Sequence, residues 1–236
     1  MLVATHSVYG CSIEGTDALA GNVRDLLFND QTWDIKHLVV HTGNWLTGHS
    51  ELLSPKVVET ADWHGRHLRV HLTKEEVERQ PPLGDVPMIA RRDEAEARKL
   101  IAWETYWTGI LAGFDARETD PHIDSAKEVN GYRIEAFDGI IGHVEDFIVD
   151  DDTWKIRYLV VDTRNWFPGR HVLLMPMSVR TISWDLRKIH VELSRETIRS
   201  SPDYDRTVPV DRPYEERLHD HYDVPKYWLG VGAGVE

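Results

Sequence analysis

The stretch DGIIGHVEDFIVDDDTWKIRYLVVDTRNWFPGRHVLL, residues 138–174, occurs twice in this chain in related forms. The earlier form, DALAGNVRDLLFNDQTWDIKHLVVHTGNWLTGHSELL, covers residues 17–53. The two align without a gap at one offset, as the tryptophans at Trp33 and Trp154 show (154 − 33 = 121). In a chain of 236 residues this tandem repeat predicts two similar units of about 120 residues, which is an ordinary domain size.

Each copy consists of short apolar segments separated by turn-forming residues. The segment from Trp33 to His41, like its counterpart from Trp154 to Asp162, ends in three successive apolar residues, which indicates a strand covered on both faces. Asn, Asp and Gly residues occupy the intervening turns. Six or so strands in each copy are too few for two packed sheets. The pattern therefore predicts a mainly β fold of two tandem small β-barrels.

A helical arm is expected after each barrel. Residues 93–106 place apolar side chains on one helix face, and Asp211 is a suitable N-cap for a shorter counterpart. Both arms end in a Tyr–Trp pair, whose tryptophans are Trp107 and Trp228. Near-equal repeats tend to pack as a homodimer would, which predicts pseudo-twofold symmetry.

The predicted domain boundaries follow from the repeat and its arms. The first repeat with its arm is expected at residues 1–110, a linker at 111–127, and the second repeat with its arm at 128–236. Brief helices are also expected where Thr73 and Glu76 form a capping box and where Ser194 starts the matching element.

The composition disfavours nucleic acid and anionic membranes as partners. Twenty-seven basic and 40 acidic residues give a formal charge of −13, and the basic residues do not gather into a patch. The single cysteine, Cys11, fits a reducing compartment. A signal peptide and a transmembrane segment are not expected, since no run approaches about 20 apolar residues. We therefore expect a cytoplasmic protein.

The second copy resembles the PRC-barrel domain, a module of the photosynthetic reaction centre H subunit and of ribosome maturation factors. The residues that carry the resemblance are Gly142, Asp146, Trp154, Ile156, Arg157, Leu159 to Asp162 and Gly169. The first copy departs from the pattern at Ala18, Leu19, His41 and His49. The resemblance covers roughly residues 8–73 and 129–194.

That resemblance implies small six-stranded barrels that act as docking modules, and it implies no particular activity. The tandem form with Tyr–Trp arms is similar to bacterial PRC-barrel proteins. Similarity to the H subunit would imply proton delivery to a quinone site, but that subunit has a membrane helix. Similarity to the ribosome maturation factors would imply contact with a ribosomal protein, but a counterpart of their separate N-terminal domain is not expected in this sequence.

Two groups of residues are candidates for interaction. Asp162 and Arg170 can pair across the turn between them, and the first copy has His41 and His49 in their places. This pair is either a stabilising surface contact or a functional difference between the copies. The second group is Trp45, Trp166, Trp107 and Trp228, which either pack the arms onto the barrels or contribute to a subunit contact.

No catalytic, cofactor-binding or metal-binding residue is assigned from the sequence. The turn at Asp150–Asp152 has the charge to hold a cation, but its spacing favours an ordinary turn. The histidines, including His219 with His221, are expected to be exposed to solvent, with a metal site or a pH-sensitive interface as alternatives. Motifs for nucleophilic catalysis or phosphate binding do not occur.

The sequence therefore favours a non-catalytic adaptor with a protein partner, without a cofactor, and with possible self-association through the arms. Two alternatives stay open. One is an accessory protein of photosynthetic electron and proton transfer, related to the H subunit. The other is a stress-associated protein that binds a metal or another ligand through its acidic and histidine-rich faces.

Overall fold

The computed structural model describes residues 1–43, 48–83, 122–163 and 170–229. The helices and strands lie, in chain order, at β1 Leu2–Ala4, α1 Thr5–Val8, β2 Ser12–Glu14, β3 Leu19–Asn29, β4 Ile35–Thr42, β5 His49–Leu53, β6 Val58–Asp62, β7 His67–Val70, α2 Lys74–Glu78, β8 Ile123–Ser125, α3 Ala126–Val129, β9 Arg133–Ala136, β10 Gly139–Asp150, β11 Lys155–Asp162, β12 His171–Leu174, β13 Val179–Ser183, β14 Lys188–Val191, α4 Arg195–Arg199 and α5 Arg212–Tyr222. Single 3-10 turns occupy Pro55–Val57, Pro176–Ser178 and Tyr227–Leu229.

The chain forms two compact units, each built mainly from one copy of the repeat. The first-repeat unit consists of Thr5–Val129 and Thr153–Lys155. The second-repeat unit consists of Met1–Ala4, Asn130–Asp152 and Ile156–Glu236. The mainly β class expected from the sequence is confirmed. Among the described residues, none of the helices has the length and apolar character needed to span a membrane.

The two units contain sheets with the same strand order. The order is β5-β4-β3-β2-β7-β6 in the first-repeat unit and β12-β11-β10-β9-β14-β13 in the second-repeat unit. In both sheets one pair in the middle of the order is parallel, β2 with β7 and β9 with β14. Within the described part of the chain these pairings form an open path, so the predicted closure into barrels is not observed there.

The seventh strand of each sheet comes from the start of the other repeat. β1 pairs with the end of β10, placing Val3 opposite Val149. β8 pairs with the end of β3, placing Asp124 opposite Phe28. Because β8 follows β1 by the repeat offset, each copy gives its first strand to the sheet built from the other copy. The segment predicted as a linker, residues 111–127, lies mostly outside the described residues, and its last five residues belong to β8 and α3.

The turns before β4 and β11 are built alike in the two units. Asn29 accepts hydrogen bonds from the backbone N–H groups of Gln31 and Thr32 at 2.9 and 2.7 Å, and Asp150 accepts one from Asp152. Trp33 and Trp154 follow these turns with φ of 60° and 52°, an unfavourable conformation for a bulky residue. The turn prediction is confirmed, and the matching φ values show that the repeated Trp is tied to a repeated backbone.

An arm helix covers one face of the second-repeat sheet. Asp211 caps α5 by accepting a hydrogen bond from the Tyr214 N–H at 2.8 Å, as predicted. The buried residues that share this core are Ile148, Tyr158, Val160, Leu173, Met175, Tyr204, Tyr214 and Leu218. The helix therefore buries its apolar face against β10, β11 and β12. The other predicted arm helix, at residues 93–106, lies outside the described residues.

Candidate functional site

Asp162 and Arg170 stand at facing ends of neighbouring strands in the second-repeat unit. Asp162 is the last residue of β11 and is fully buried, while Arg170 directly precedes β12. The Arg170 guanidinium donates to the carbonyl oxygens of Arg199 and Ser201 and contacts the Asp203 carboxylate. Arg170 thus holds the segment after α4 against the sheet. Its predicted ion pair with Asp162 stays a prediction.

Asp162 belongs to a cluster that sequence reasoning missed. We call Glu145, Asp162 and His171 the acid–histidine cluster, because one carboxylate oxygen or ring nitrogen from each lies within 4.8 Å of the others. Glu145 lies on β10, and the register of β11 and β12 places Asp162 directly opposite His171. Three adjacent strands therefore bring together residues that no sequence motif connects.

The closest contact in the cluster lies within ion-pair distance. His171 Nε2 is 2.6 Å from Glu145 Oε2 and would form an ion pair with it if the ring is protonated. Among the described residues neither of these two buried atoms has a hydrogen-bond partner. The other Glu145 oxygen receives the guanidinium of Arg206, and His143 Nε2 lies 3.7 Å from Asp162 Oδ2.

A cleft opens beside the acid–histidine cluster. It has a volume of about 410 Å³, and its lining residues are Arg170, His171 and Asp203 to Arg206. His171 belongs to both the cluster and the cleft, so the cleft connects the cluster with solvent. The charged side chains of this lining, from Arg170, Asp203, Asp205 and Arg206, suit a charged ligand.

The first-repeat unit does not carry this cluster. At the repeat offset, Arg24, His41 and Ser50 occupy the positions of Glu145, Asp162 and His171. A comparison of the two copies could have revealed the cluster. The second copy has the acidic Glu145 where the first has the basic Arg24, and the imidazole of His171 where the first has the hydroxyl of Ser50. The sequence did single out one of these positions, where the second copy has the carboxylate of Asp162 and the first has the imidazole of His41.

Trp228 packs within the arm of the second-repeat unit. Its ring centroid lies 4.7 Å from that of His219, in an edge-on arrangement, and the Arg212 guanidinium lies 4.2 Å from its centroid. These contacts fold the chain after α5 back onto the helix. Trp228 thus packs on residues of its own arm helix, while packing of the arm onto the barrel through this residue and a subunit contact both stay predictions. Trp45, Trp107 and Trp166 lie outside the described residues.

A buried hydrogen-bond network ties the arm to β11. Glu215, almost fully buried, accepts hydrogen bonds from the hydroxyls of Tyr158 and Tyr227 at 2.6 and 2.8 Å and pairs with Arg212 at 2.7 Å. Burial and the neighbouring Glu215 carboxylate raise the pKa of Tyr158 strongly and that of Tyr227 to about 12. Both tyrosines are therefore protonated donors at neutral pH.

The prediction that His219 is exposed is wrong. Its side chain is 4% exposed, with Nδ1 2.8 Å from the Pro225 carbonyl oxygen and Nε2 3.0 Å from the Tyr158 hydroxyl. Burial lowers the pKa of this imidazole. The error arose because the segment after α5, which covers His219, has no helical periodicity from which its position could be predicted.

The acidic turn is satisfied by cations of the same unit. Asp150 accepts from Arg157 at 2.7 Å, and the N-terminal ammonium of Met1 contacts Asp151 and Asp152. These contacts neutralise part of the charge of the turn. One carboxylate oxygen from each of Asp150, Asp151 and Asp152 also lies within 4.8 Å of the others, so the choice between an ordinary turn and a cation site stays a prediction.

One end of the second-repeat sheet exposes large apolar side chains. Phe137 is 76% exposed, Met177 64% and Ile140 49%. Phe137 lies in the β9–β10 turn, and the Phe137 N–H contacts the Leu193 carbonyl just beyond β14. Met177 precedes β13, whose first residue lies opposite the last residue of β14. We call Phe137, Ile140 and Met177 the apolar end of the sheet; the first copy has Thr16, Leu19 and Lys56 at these positions.

Comparison with protein families identifies part of this unit. Residues 123–198 match the PRC-barrel domain, so the chain contains a PRC-barrel domain in that range. The range begins at β8, ends within α4, and includes both the acid–histidine cluster and the apolar end. The arm helix α5 lies beyond it. Comparison with curated proteins yields no match.

Proposed function

We propose that the chain is a non-catalytic protein-interaction module of the PRC-barrel type, with a second repeat of the same domain in its first half. The PRC-barrel domain at residues 123–198 is a general module, and the equal strand order of the two sheets supports the second repeat. The partner is proposed to be a protein.

The observation that carries the proposal is the apolar end of the second-repeat sheet. Exposed apolar side chains grouped at one end of a sheet are costly in water and are typical of protein interaction sites. The corresponding positions of the first repeat are more polar at two of three places, Thr16 and Lys56. Because the two copies differ at this end, we propose that the second repeat binds a partner there and that the first repeat binds either a different partner or none.

The test is affinity capture after crosslinking in the source cells, with the wild-type chain and two variants. We expect a protein of different sequence to be captured in stoichiometric amount by the wild type. The triple variant Phe137→Ser, Ile140→Ser, Met177→Ser should capture at least about tenfold less of it, since apolar anchors dominate such interfaces.

The matched control is Leu186→Ser. Leu186 is 66% exposed on the β13–β14 turn, at the opposite end of the same sheet. This variant should capture the partner as the wild type does, and light scattering should show an unchanged mass for any oligomer that forms through the arms. Equal capture by the triple variant and the wild type, or no stoichiometric partner at all, would contradict the proposal.

A further inference from the structure

We propose that the acid–histidine cluster binds a divalent transition-metal ion, with Glu145, Asp162 and His171 as ligands. The site would bind its ion with or without a protein partner, so it is independent of the adaptor function.

The separations within the cluster suit a metal ion. Zinc bonds to carboxylate oxygen and imidazole nitrogen are about 2.1 Å long, so tetrahedral ligand atoms lie about 3.4 Å apart. The cluster atoms range from 2.6 Å for the His171–Glu145 contact to an upper limit of 4.8 Å, which brackets this spacing. Side chains that lie opposite each other on paired strands, as Asp162 and His171 do, share a face of the sheet.

The hydrogen bonding of the cluster also points to a ligand. Glu145 Oε2 and His171 Nε2 are buried and contact each other at ion-pair distance, and within the described residues neither makes a hydrogen bond. An ion between these two atoms would satisfy both of them with one bond each.

The surroundings supply the features that hold metal ligands in place. The Arg206 guanidinium occupies the Glu145 oxygen that faces away from His171, and so leaves Oε2 for the ion while fixing the carboxylate. His143, 3.7 Å from Asp162 Oδ2, is placed either to orient that carboxylate or to serve as a fourth ligand. The cleft gives the ion a route from solvent and room for a water ligand.

The donor set selects the class of ion. Imidazole suits zinc, cobalt and related transition ions, whereas calcium and magnesium take oxygen ligands almost exclusively. Since the first repeat has Arg24, His41 and Ser50 at the equivalent positions, the duplicated chain should hold one ion and not two.

The experiment is a titration of the untagged full-length chain with zinc chloride, measured by isothermal titration calorimetry. We expect one zinc ion per chain, a higher melting temperature with zinc, and no such rise with calcium. His171→Ala should weaken zinc binding at least about tenfold, and Glu145→Gln should weaken it as well. Cobalt should give the visible absorption of a tetrahedral site in the wild type and lose it in His171→Ala.

The matched control is His122→Ala in the first-repeat unit. His122 also faces a carboxylate, with Nδ1 3.0 Å from Asp30 Oδ1, but belongs to no cluster of this kind among the described residues. Its zinc affinity should equal that of the wild type. Melting curves without metal check that each variant folds, and the partly exposed His171 and Glu145 are chosen over the fully buried Asp162 for that reason.

Absence of zinc and cobalt binding by the wild type would overturn the proposal. So would full zinc binding by both His171→Ala and Glu145→Gln. Zinc binding that is lost on Asp151→Asn instead would move the site to the acidic turn and would equally overturn it.

Discussion

Where α5 packs on β11, the single hydroxyl proton of Tyr158 has two potential acceptors, Glu215 and His219. The Tyr158 hydroxyl lies 2.6 Å from a Glu215 oxygen and 3.0 Å from His219 Nε2. Because His219 Nδ1 faces the Pro225 carbonyl, the neutral ring carries its hydrogen on Nδ1 and accepts on Nε2. Burial lowers the pKa of His219, which favours the neutral ring in this network beside the buried Glu215 side chain.

This arrangement predicts that acid loosens the arm through His219. Burial holds its pKa below the ordinary value of about 6.5, so the unfolded chain binds the proton more readily than the folded chain. The stability contribution is therefore complete above about pH 6.5 and falls as the pH drops through that value. Between pH 7.5 and 5, the wild type should lose free energy of unfolding relative to His219→Gln, as measured by urea denaturation.

The control is His64→Gln, because His64 lies exposed on the turn before β7. This variant measures how far replacing an exposed histidine changes the pH dependence. A pH-dependent difference for His219→Gln that does not exceed that of His64→Gln would show that His219 does not couple the arm to pH.

At the scale of the element, two matching glycines let neighbouring strands approach closely. A Cβ at Gly142 would overlap the Asp162 carbonyl oxygen, and a Cβ at Gly21 would overlap that of His41. The obstacle is backbone in both cases, so it cannot move aside as a side chain can. This contact explains why both copies of the repeat have glycine there.

We therefore expect Gly142→Ala and Gly21→Ala each to reduce the free energy of unfolding by about 2–4 kcal/mol. Gly131→Ala is the comparison. Gly131 has φ of +87° but nothing within 4 Å of an added Cβ, so it isolates the cost of backbone conformation, about 1–2 kcal/mol. Chemical denaturation measures all three. If Gly142→Ala cost no more than Gly131→Ala, the close approach would not matter for stability.

Local sequence signals correctly predicted the starts of the two short helices α2 and α4. The capping box of Thr73 and Glu76 is present at the start of α2, and Ser194 accepts from the Thr197 N–H at the start of α4. Such contacts span three residues, so spacing alone reveals them. The parallel pairing of β9 with β14 and the meeting of Glu145, Asp162 and His171 depend on strands distant in the sequence, which periodicity does not encode.

At the scale of the whole molecule, each compact unit contains one strand that belongs, by sequence, to the other repeat. The offset of the repeat predicted two similar mainly β units, but not that β1 pairs with β10 and β8 with β3. β1 is apolar throughout, whereas β8 has one apolar residue, and segments of three residues are too short for periodicity to specify their partner strand.

Hydrogen exchange can test this strand placement. Val3 is buried and lies opposite Val149, so Val3→Asp should speed amide exchange at residues 148–150 and leave β2 unchanged. Ile123 is buried against Leu27, Val39 and Leu52, so Ile123→Asp should speed exchange at residues 27–29 and leave β9 unchanged. Faster exchange confined to the strand next in sequence would contradict the pairing.

The strand placement also decides what happens when the chain is cut between its repeats. A fragment that starts at residue 122 carries β8 without the β3 edge to which it belongs, and it leaves residues 148–150 of β10 as an open edge. A fragment that ends at residue 83 has the opposite defects, a spare β1 and an open edge at residues 27–29. Mixed together, the two fragments supply each other's missing strand. Each one alone must cover its edge with its own spare strand or with a second copy of itself, or leave the edge open.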